Sequence, residues 1–112
     1  MKKILLLGGA MQQIPSIQKA KEMGFYTITC DYLPDNPGHK LADEYYNVST
    51  TDNEAVLELA KKLQIDGIVA YASDPAAPTA AYVAEQLLII LLKVRETPEI
   101  EVFSAKTIRT VT

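Results

Sequence analysis

Residues 2–25 read KKILLLGGAMQQIPSIQKAKEMGF, and they carry the clearest pattern in the chain. The uninterrupted apolar run at residues 4–7 is typical of a strand buried on both faces, as in a parallel sheet. Gly8 and Gly9 follow the run and indicate a tight turn. Within residues 12–23 an apolar side chain recurs at positions 14, 17, 20 and 23, which predicts a helix with one buried face. The stretch therefore predicts a strand, a glycine turn and a helix in that order.

The rest of the chain continues this alternation. Residues 25–30 are rich in β-branched and aromatic side chains and predict a second strand, and shorter runs at 45–48 and 68–71 predict a third and a fourth. A capping-box pattern, Thr51-x-x-Glu54, predicts the start of the second helix. An alanine-rich third helix is predicted over residues 79–88.

The order β-α-β-β-α-β-α predicts an α/β fold, a Rossmann-like three-layer domain with a parallel sheet of four to five strands. We expect residues 1–88 to form this domain. Residues 89–112 form an atypical tail that is apolar at first and β-prone later, and the sequence does not assign it a place on the sheet.

Composition limits the classes of function. The chain has 112 residues and a net charge of -3, which argues against nucleic-acid or anionic-membrane binding. Cys30 is the single cysteine, so no internal disulfide can form, as is usual in a reducing cytoplasm. The longest apolar run, residues 87–92, is far shorter than the roughly 20 residues that span a bilayer. We therefore expect a cytoplasmic protein.

The glycine turn is the first candidate binding site, because ligands of doubly wound sheets collect at the carboxyl ends of the strands. The N–H groups at a helix N-terminus attract anions. Four such groups are predicted to point out of the turn, those of Gly9, Ala10, Met11 and Gln12. Gly8 does not begin a dinucleotide fingerprint, since Ala10 and Gln13 replace the glycines it requires, and the P-loop motif is absent. Two interpretations stay open, a turn that needs only glycine flexibility and a carboxylate or phosphate site.

Three further polar residues follow predicted strands. Asp31 ends the second strand, where NAD-binding folds place an acid that binds ribose, but a solvated carboxylate fits the pattern equally well. Ser73 and Asp74 follow the fourth strand and are predicted to contact a small ligand, although Asp74 also suits the N-cap of the next helix. His39, the single histidine, has no companion at metal-ligand spacing and is interpreted as polar surface. No catalytic residue and no metal site is assigned.

The order of three motifs resembles the N-terminal, pre-ATP-grasp domain of ATP-grasp ligases. The motifs are GG after the first strand, DYLPDNPG at residues 31–38 after the second, and DPAAPTAA at residues 74–81 after the fourth. The resemblance covers residues 2–87 and is closest to carbamoyl-phosphate-synthase-like ligases. Biotin carboxylase and the purine-pathway carboxylate ligases are more distantly similar. The leucine-glycine-leucine-proline-glycine turn that usually follows in this family is replaced here by LLIILL at residues 87–92.

The resemblance implies a function for the module. It would pack against ATP-grasp domains, present in cis or in trans, and help to bind the acceptor, with Gly8, Gly9 and Ala10 on the substrate side. Mg-ATP is implied for the full-length enzyme and would be held by the later domains, so no cofactor is expected in this chain. We therefore expect the substrate-side domain of an ATP-dependent carboxylate-amine ligase, inactive alone, that takes a small anionic substrate. A homodimer through the apolar tail is also expected.

Two other classes of function remain open from the sequence. One is a stand-alone module that binds a nucleotide or sugar phosphate without turnover. The other is an interaction subunit of a separately encoded ATP-grasp chain. A ligand retained by the isolated chain would favour the first, and a neighbouring reading frame that encodes the missing domains would favour the second.

Overall fold

The structure, a computed structural model, describes residues 1–94 and 100–103. Its helices are α1 (Ile14–Glu22), α2 (Asn53–Leu63) and α3 (Ala77–Leu87), and short 3-10 turns lie at Met11–Gln13 and Pro37–Lys40. Its strands are β1 (Lys3–Leu7), β2 (Tyr26–Asp31), β3 (Glu44–Asn47), β4 (Gly67–Val69), β5 (Ile90–Val94) and β6 (Ile100–Phe103).

The strands form one sheet in the order β3-β2-β1-β4-β5-β6. The first five are parallel, and β6 pairs antiparallel with β5. β1 lies inside the sheet, and its Leu5 is in register with Ile28 of β2 and Ile68 of β4. The predicted Rossmann-like α/β fold with a parallel sheet is confirmed, and the structure adds the antiparallel strand β6.

The alternation of β1 side chains divides the core into two layers. Leu5 and Leu7 face α2 and α3, whereas Ile4 and Leu6 pack with Ile17 of α1 on the other face. All four of these β1 side chains are almost fully buried. Because both faces of the strand are covered, the sequence is continuously apolar rather than alternating. Burial of each side chain contributes about 1.5–3 kcal/mol.

Both ends of α1 carry residues that suit a helix terminus. Pro15 lies in the first turn, where no helical hydrogen bond requires its missing N–H. Gly24 has a φ of 85° and the next residue, Phe25, donates its N–H to the Ala20 carbonyl at 3.1 Å. This closes the helix as glycine commonly does just past a C-terminus.

Two predicted helix caps are wrong. Asp52, not Thr51, caps α2, and its carboxylate accepts a hydrogen bond from the Ala55 N–H at 3.1 Å. Asp74 does not cap α3, which begins at Ala77 after Ala76 without any side-chain cap. In both cases another group close in sequence satisfies the first N–H groups. For α3 that group is the carbonyl of Ser73, which accepts from the N–H groups of Ala76 and Ala77 at 3.1 and 3.2 Å.

The first part of the tail belongs to the sheet. β5 pairs with β4 in parallel, with Gly67 opposite Ile90, and residues 100–103 form β6 beside it. Residues 95–99 and 104–112 of the predicted tail lie outside the described residues. Over the described part of the chain, no helix has the length and apolar character needed to cross a membrane.

Candidate functional site

The candidate site lies at the carboxyl edge of the sheet, where the chain leaves β1, β2 and β4. We call these connections the glycine turn (residues 8–13), the β2 loop (residues 32–43) and the β4 loop (residues 70–76). From β1 the chain proceeds through α1 to β2 on one side, and it later returns through α2 to β4 on the other side. The space between β1 and β4 is therefore the topological switch point of the sheet, the place where such folds bind ligands.

Asp31 anchors the glycine turn from inside the protein. Its Oδ2 accepts hydrogen bonds from the Gly9 N–H and the Asn36 amide, both at 2.9 Å, and its Oδ1 accepts from the Leu33 N–H at 2.7 Å. The residue is only 6% exposed. The interpretation of Asp31 as a solvated carboxylate is therefore wrong. A ribose-binding role would need a carboxylate oxygen that can accept from the ligand, and protein donors already occupy both oxygens of Asp31.

The charge state of Asp31 follows from these contacts. Burial alone would raise the pKa of its carboxyl, but the hydrogen bonds, with the Asn36 amide foremost, outweigh burial and hold the pKa below its ordinary value of 3.8. Asp31 is thus an anion at neutral pH, with its charge directed at donors of the two loops.

His39 is buried beneath the glycine turn, and its interpretation as polar surface is wrong. Its Nδ1 lies 2.8 Å from the Thr29 hydroxyl. Its Nε2 lies 3.2 Å from Asp31 Oδ1, at ion-pair distance but without the alignment of a hydrogen bond. The ring also stacks on Tyr45, with 3.9 Å between the centroids. No local sequence pattern signals this position, because the polar partners of His39 lie on another element, the strand β2.

Close packing explains two of the glycine motifs. A Cβ on Gly9 would lie 2.3 Å from the His39 ring, and a Cβ on Gly38 would lie 2.6 Å from the Gly9 carbonyl oxygen. The Gly38 N–H donates to that same carbonyl at 2.6 Å. Gly9 and Gly38 therefore allow the backbones of the glycine turn and the β2 loop to come into contact.

Gln13 is a residue of this edge that the sequence reasoning did not single out. Its side chain is buried, and its Oε1 accepts the Ala10 N–H at 3.0 Å. Its Nε2 donates to the carbonyls of Tyr71 and Ala72 at 3.2 and 3.3 Å. Gln13 thus connects the glycine turn directly to the β4 loop. It stands where the dinucleotide fingerprint would need a glycine, which is the one signal the sequence offered.

The predicted anion donors divide into two groups. The N–H groups of Gly9 and Ala10 donate to Asp31 and Gln13, so the prediction that they point toward a ligand is wrong. Gly8 is likewise engaged, since its N–H donates to the Cys30 carbonyl at 2.8 Å. The outer face of the edge is formed by other predicted residues. These are Met11 and Gln12, which are exposed, Ser73, which is half-buried, and Asp74, which is exposed.

The described residues supply little reactive chemistry. Asp31, His39 and Thr29 line up as in a catalytic triad, but Thr29 is fully buried and cannot reach a substrate. Burial raises the pKa of the Cys30 thiol to about 12, so it stays protonated. Among the described residues no three His, Cys, Asp or Glu side chains come together as a metal site would require.

Comparison with protein-family models gives no match, and comparison with curated protein sequences gives none. Solved structures do match. Phosphoribosylglycinamide synthetase from Anaerococcus prevotii is 27% identical with a TM-score of 0.72, and the match covers 82% of this chain and 24% of that one. Glycinamide-RNase-transformylase T from Mycobacterium tuberculosis is 26% identical with a TM-score of 0.69, over 80% of this chain and 26% of that one.

A third match is N5-carboxyaminoimidazole ribonucleotide synthetase from Thermotoga maritima, which is 29% identical with a TM-score of 0.61, over 78% of this chain and 23% of that one. All three are ATP-grasp ligases, and the resemblance to this family that the motifs predicted is confirmed. The chain spans about a quarter of the length of each matched protein.

Proposed function

We propose that this chain acts as the substrate-side domain of an ATP-dependent carboxylate-amine ligase of the ATP-grasp type, with carbamoyl-phosphate-synthase-like enzymes as the nearest kind. The similarity to three ligases over about four-fifths of the chain supports the family. The observation that carries the site is the switch point, where the glycine turn and the β4 loop flank the gap between β1 and β4.

In a ligase of this type, a substrate carboxylate is converted to an acyl phosphate at the expense of ATP, and an amine then attacks its carbonyl carbon and displaces phosphate. The described residues contain no metal cluster, and two amides of the glycine turn already have internal partners. We therefore assign the binding of Mg-ATP to ATP-grasp domains, in cis or in trans, and assign no catalytic residue to this chain.

The part of the reaction left for this domain is to position a small anionic substrate. Asp31, Gly9 and Gly38 form a fixed base, because their polar groups are directed at one another. The Ser73 hydroxyl and the backbone around Met11 and Gln12 lie at the outer edge and would contact the substrate. Such a shallow site leaves most of a ligand in water, so we expect millimolar affinity, equivalent to ~4 kcal/mol.

The test is a titration of the 15N-labelled chain with inorganic phosphate and, separately, with acetate, followed by two-dimensional NMR. We expect amide shifts at Met11, Gln12 and Ser73, with a Kd of about 1 mM for phosphate. The first amides of α2, Asn53 and Glu54, serve as the internal control, because any helix N-terminus attracts anions weakly.

Shifts of equal size at α2 and at the switch point would mean non-specific anion binding and would overturn the proposed site. So would shifts confined to another part of the chain. Micromolar affinity for a nucleotide or a sugar phosphate would instead favour the stand-alone binding module.

A further inference from the structure

We propose that Gln13 is a positioning residue that fixes the β4 loop, and with it Ser73, against the glycine turn. The importance of this spacing for a substrate rests on the proposed function, whereas the spacing itself is a property of the fold. Gln13 would act through the loops it joins and would not contact the substrate.

The hydrogen bonds of Gln13 define its orientation. Oε1 faces an N–H donor, that of Ala10, and Nε2 faces two carbonyl acceptors, those of Tyr71 and Ala72. Rotating the amide by 180° would place a donor against a donor and an oxygen against two oxygens. A buried amide with both of its N–H groups used in this way holds its partners at a fixed separation.

The backbone on both sides of the amide adopts unusual conformations. Ala72 has a φ of 53°, in the left-handed region that costs a residue with a Cβ roughly 1 kcal/mol or more. The Ala72 carbonyl is one of the two that Gln13 holds. On the other side, Gly8 has a φ of 104°, and a Cβ there would lie 3.1 Å from Gln13 Oε1.

The partners of Gln13 distinguish positioning from ordinary core packing. A core residue joins the sheet to a helix, whereas the Gln13 amide joins only the two connections that flank the switch point. Ser73 follows Ala72 directly, and its carbonyl accepts from the first N–H groups of α3. Movement of Ala72 would therefore move the Ser73 hydroxyl and the start of that helix together.

Two substitutions separate the two halves of the amide. Gln13→Glu keeps an acceptor for Ala10 but, when ionised, turns a carboxylate oxygen toward two carbonyls. Gln13→Met retains the approximate length of the side chain and removes both the acceptor for Ala10 and the donor to the two carbonyls. Gln18→Glu is the matched control, because Gln18 is exposed on α1 and the change adds the same charge.

The readout is the set of amide chemical shifts of the β4 loop in the 15N-labelled full chain. At neutral pH we expect the Ala72 and Ser73 resonances to move away from their wild-type positions in both Gln13 variants, while the Ala10 resonance moves in Gln13→Met far more than in Gln13→Glu. In Gln18→Glu all three should stay in place.

Acidification adds a test that a loss of packing would not reproduce. Burial and the two facing carbonyls raise the pKa of the carboxyl group that Gln13→Glu introduces, whereas the Ala10 N–H lowers it, and titration from neutral to acidic pH gives this group a proton that it can donate. The Ala72 and Ser73 resonances of Gln13→Glu should then return toward wild-type positions, and those of Gln13→Met should not. β4-loop shifts that stay at wild-type values in both variants, or that change in Gln13→Glu without reverting, would overturn the proposal.

Phosphate titration of the same samples separates this inference from the proposed function. If the proposed function and the role of Gln13 both hold, Gln13→Met raises the Kd for inorganic phosphate by about tenfold, which corresponds to the loss of one well-placed contact. Gln18→Glu should leave this Kd unchanged. If wild type shows no phosphate binding but the β4-loop shifts behave as described, the proposed function fails and the positioning role of Gln13 stands.

Discussion

The smallest features of this protein that decide its shape are glycines without room for a side chain. Gly9 has an ordinary backbone conformation. Glycine is required there because the imidazole of His39 occupies the place of a Cβ. Gly24 is the opposite case, with a φ of 85° and no atom within 4 Å of a Cβ placed there. Gly9 is therefore required for lack of space, and Gly24 for its backbone conformation.

We predict that Gly9→Ala destabilises the protein by about 2–3 kcal/mol, the upper range for overpacking, and that Gly24→Ala costs about 1 kcal/mol. Urea denaturation measures both values. His39→Ala provides the control, because Gly9→Ala should cost much less in a background that lacks the imidazole. Equal costs in the two backgrounds would show that His39 is not the obstacle.

Asp31 should make stability depend on pH. Its folded pKa lies below the ordinary value, so its contribution is present above the unfolded pKa of about 3.9 and is lost as pH falls through the lower folded value. Asp31→Asn should cost about 1.5–3 kcal/mol at pH near 7, because an amide cannot accept from donors at both of its heavy atoms.

The difference between wild type and Asp31→Asn should shrink as pH falls below about 4. Chemical denaturation at several pH values measures it, and Asp35→Asn, an exposed carboxylate of the β2 loop, is the control that should change little. A difference that stays constant down to about pH 2 would contradict the charged role of Asp31.

The residue scale is also where the sequence predicted least. Asp31 was singled out by its place after a strand, which depends only on local pattern. The burial of His39 and the bridging role of Gln13 depend on Thr29, Tyr71 and other partners that are distant along the chain, so no local pattern contains them.

At the scale of the elements, local sequence patterns predicted the helices and strands, but their boundaries differ from the structure by a residue or more. The second helix was expected after Thr51, and its cap is the neighbouring Asp52, since either side chain can accept from an N–H of the first turn. The apolar positions of α2 were not affected by this shift, because the buried stripe depends on the period and not on the first residue.

The cap gives a direct comparison between two adjacent residues. We predict that Asp52→Ala destabilises the protein by about 1 kcal/mol, the usual cost of a lost N-cap. Thr51→Ala should cost less than half of that, because the Thr51 hydroxyl hydrogen-bonds to the Ser49 hydroxyl, whereas the Ala55 N–H at the start of α2 is bonded by Asp52. Thermal denaturation measures the stability of both variants. A larger loss of stability in Thr51→Ala than in Asp52→Ala would show that Thr51 is the cap, as the sequence pattern predicted.

The third helix and the strand after it show why some boundaries cannot be read from sequence. Leu88 ends α3 with a φ of 53°, a conformation usually given to glycine, so the usual stop signal is missing. The apolar run that follows suits a buried strand or a helix equally well. Its assignment as β5 depends on the open edge of β4, which is a property of the assembled sheet.

At the scale of the whole molecule, the alternation of strands and helices was sufficient to predict the fold. Three of the four connections between successive parallel strands run through a helix, and the β2 loop makes the fourth, so the order of elements leaves few possible arrangements. The position of the switch point follows from the strand order, which the sequence does not state. For this reason the sequence predicted that the site lies at the carboxyl edge of the sheet, but not which loops contact each other there.

Association of two copies remains a prediction at this scale. Leu88 is 75% exposed beside the fifth strand, and an apolar side chain of this size favours burial against a partner. We expect a symmetric dimer at about 10 µM, a concentration at which moderate interfaces persist. Sedimentation velocity measures it, and Leu88→Asp should yield monomers. A wild-type monomer throughout the concentration series would contradict the dimer.

We propose that the carboxyl edge of this sheet holds a small anion and does not bind ATP. The most direct measurement is calorimetric titration of the 112-residue chain with Mg-ATP, combined with an assay for released phosphate. We expect no phosphate release and no ATP binding tighter than about 1 mM, because the amides of Gly9 and Ala10 donate to Asp31 and Gln13. Micromolar binding of ATP, or steady phosphate release by the pure chain, would contradict it.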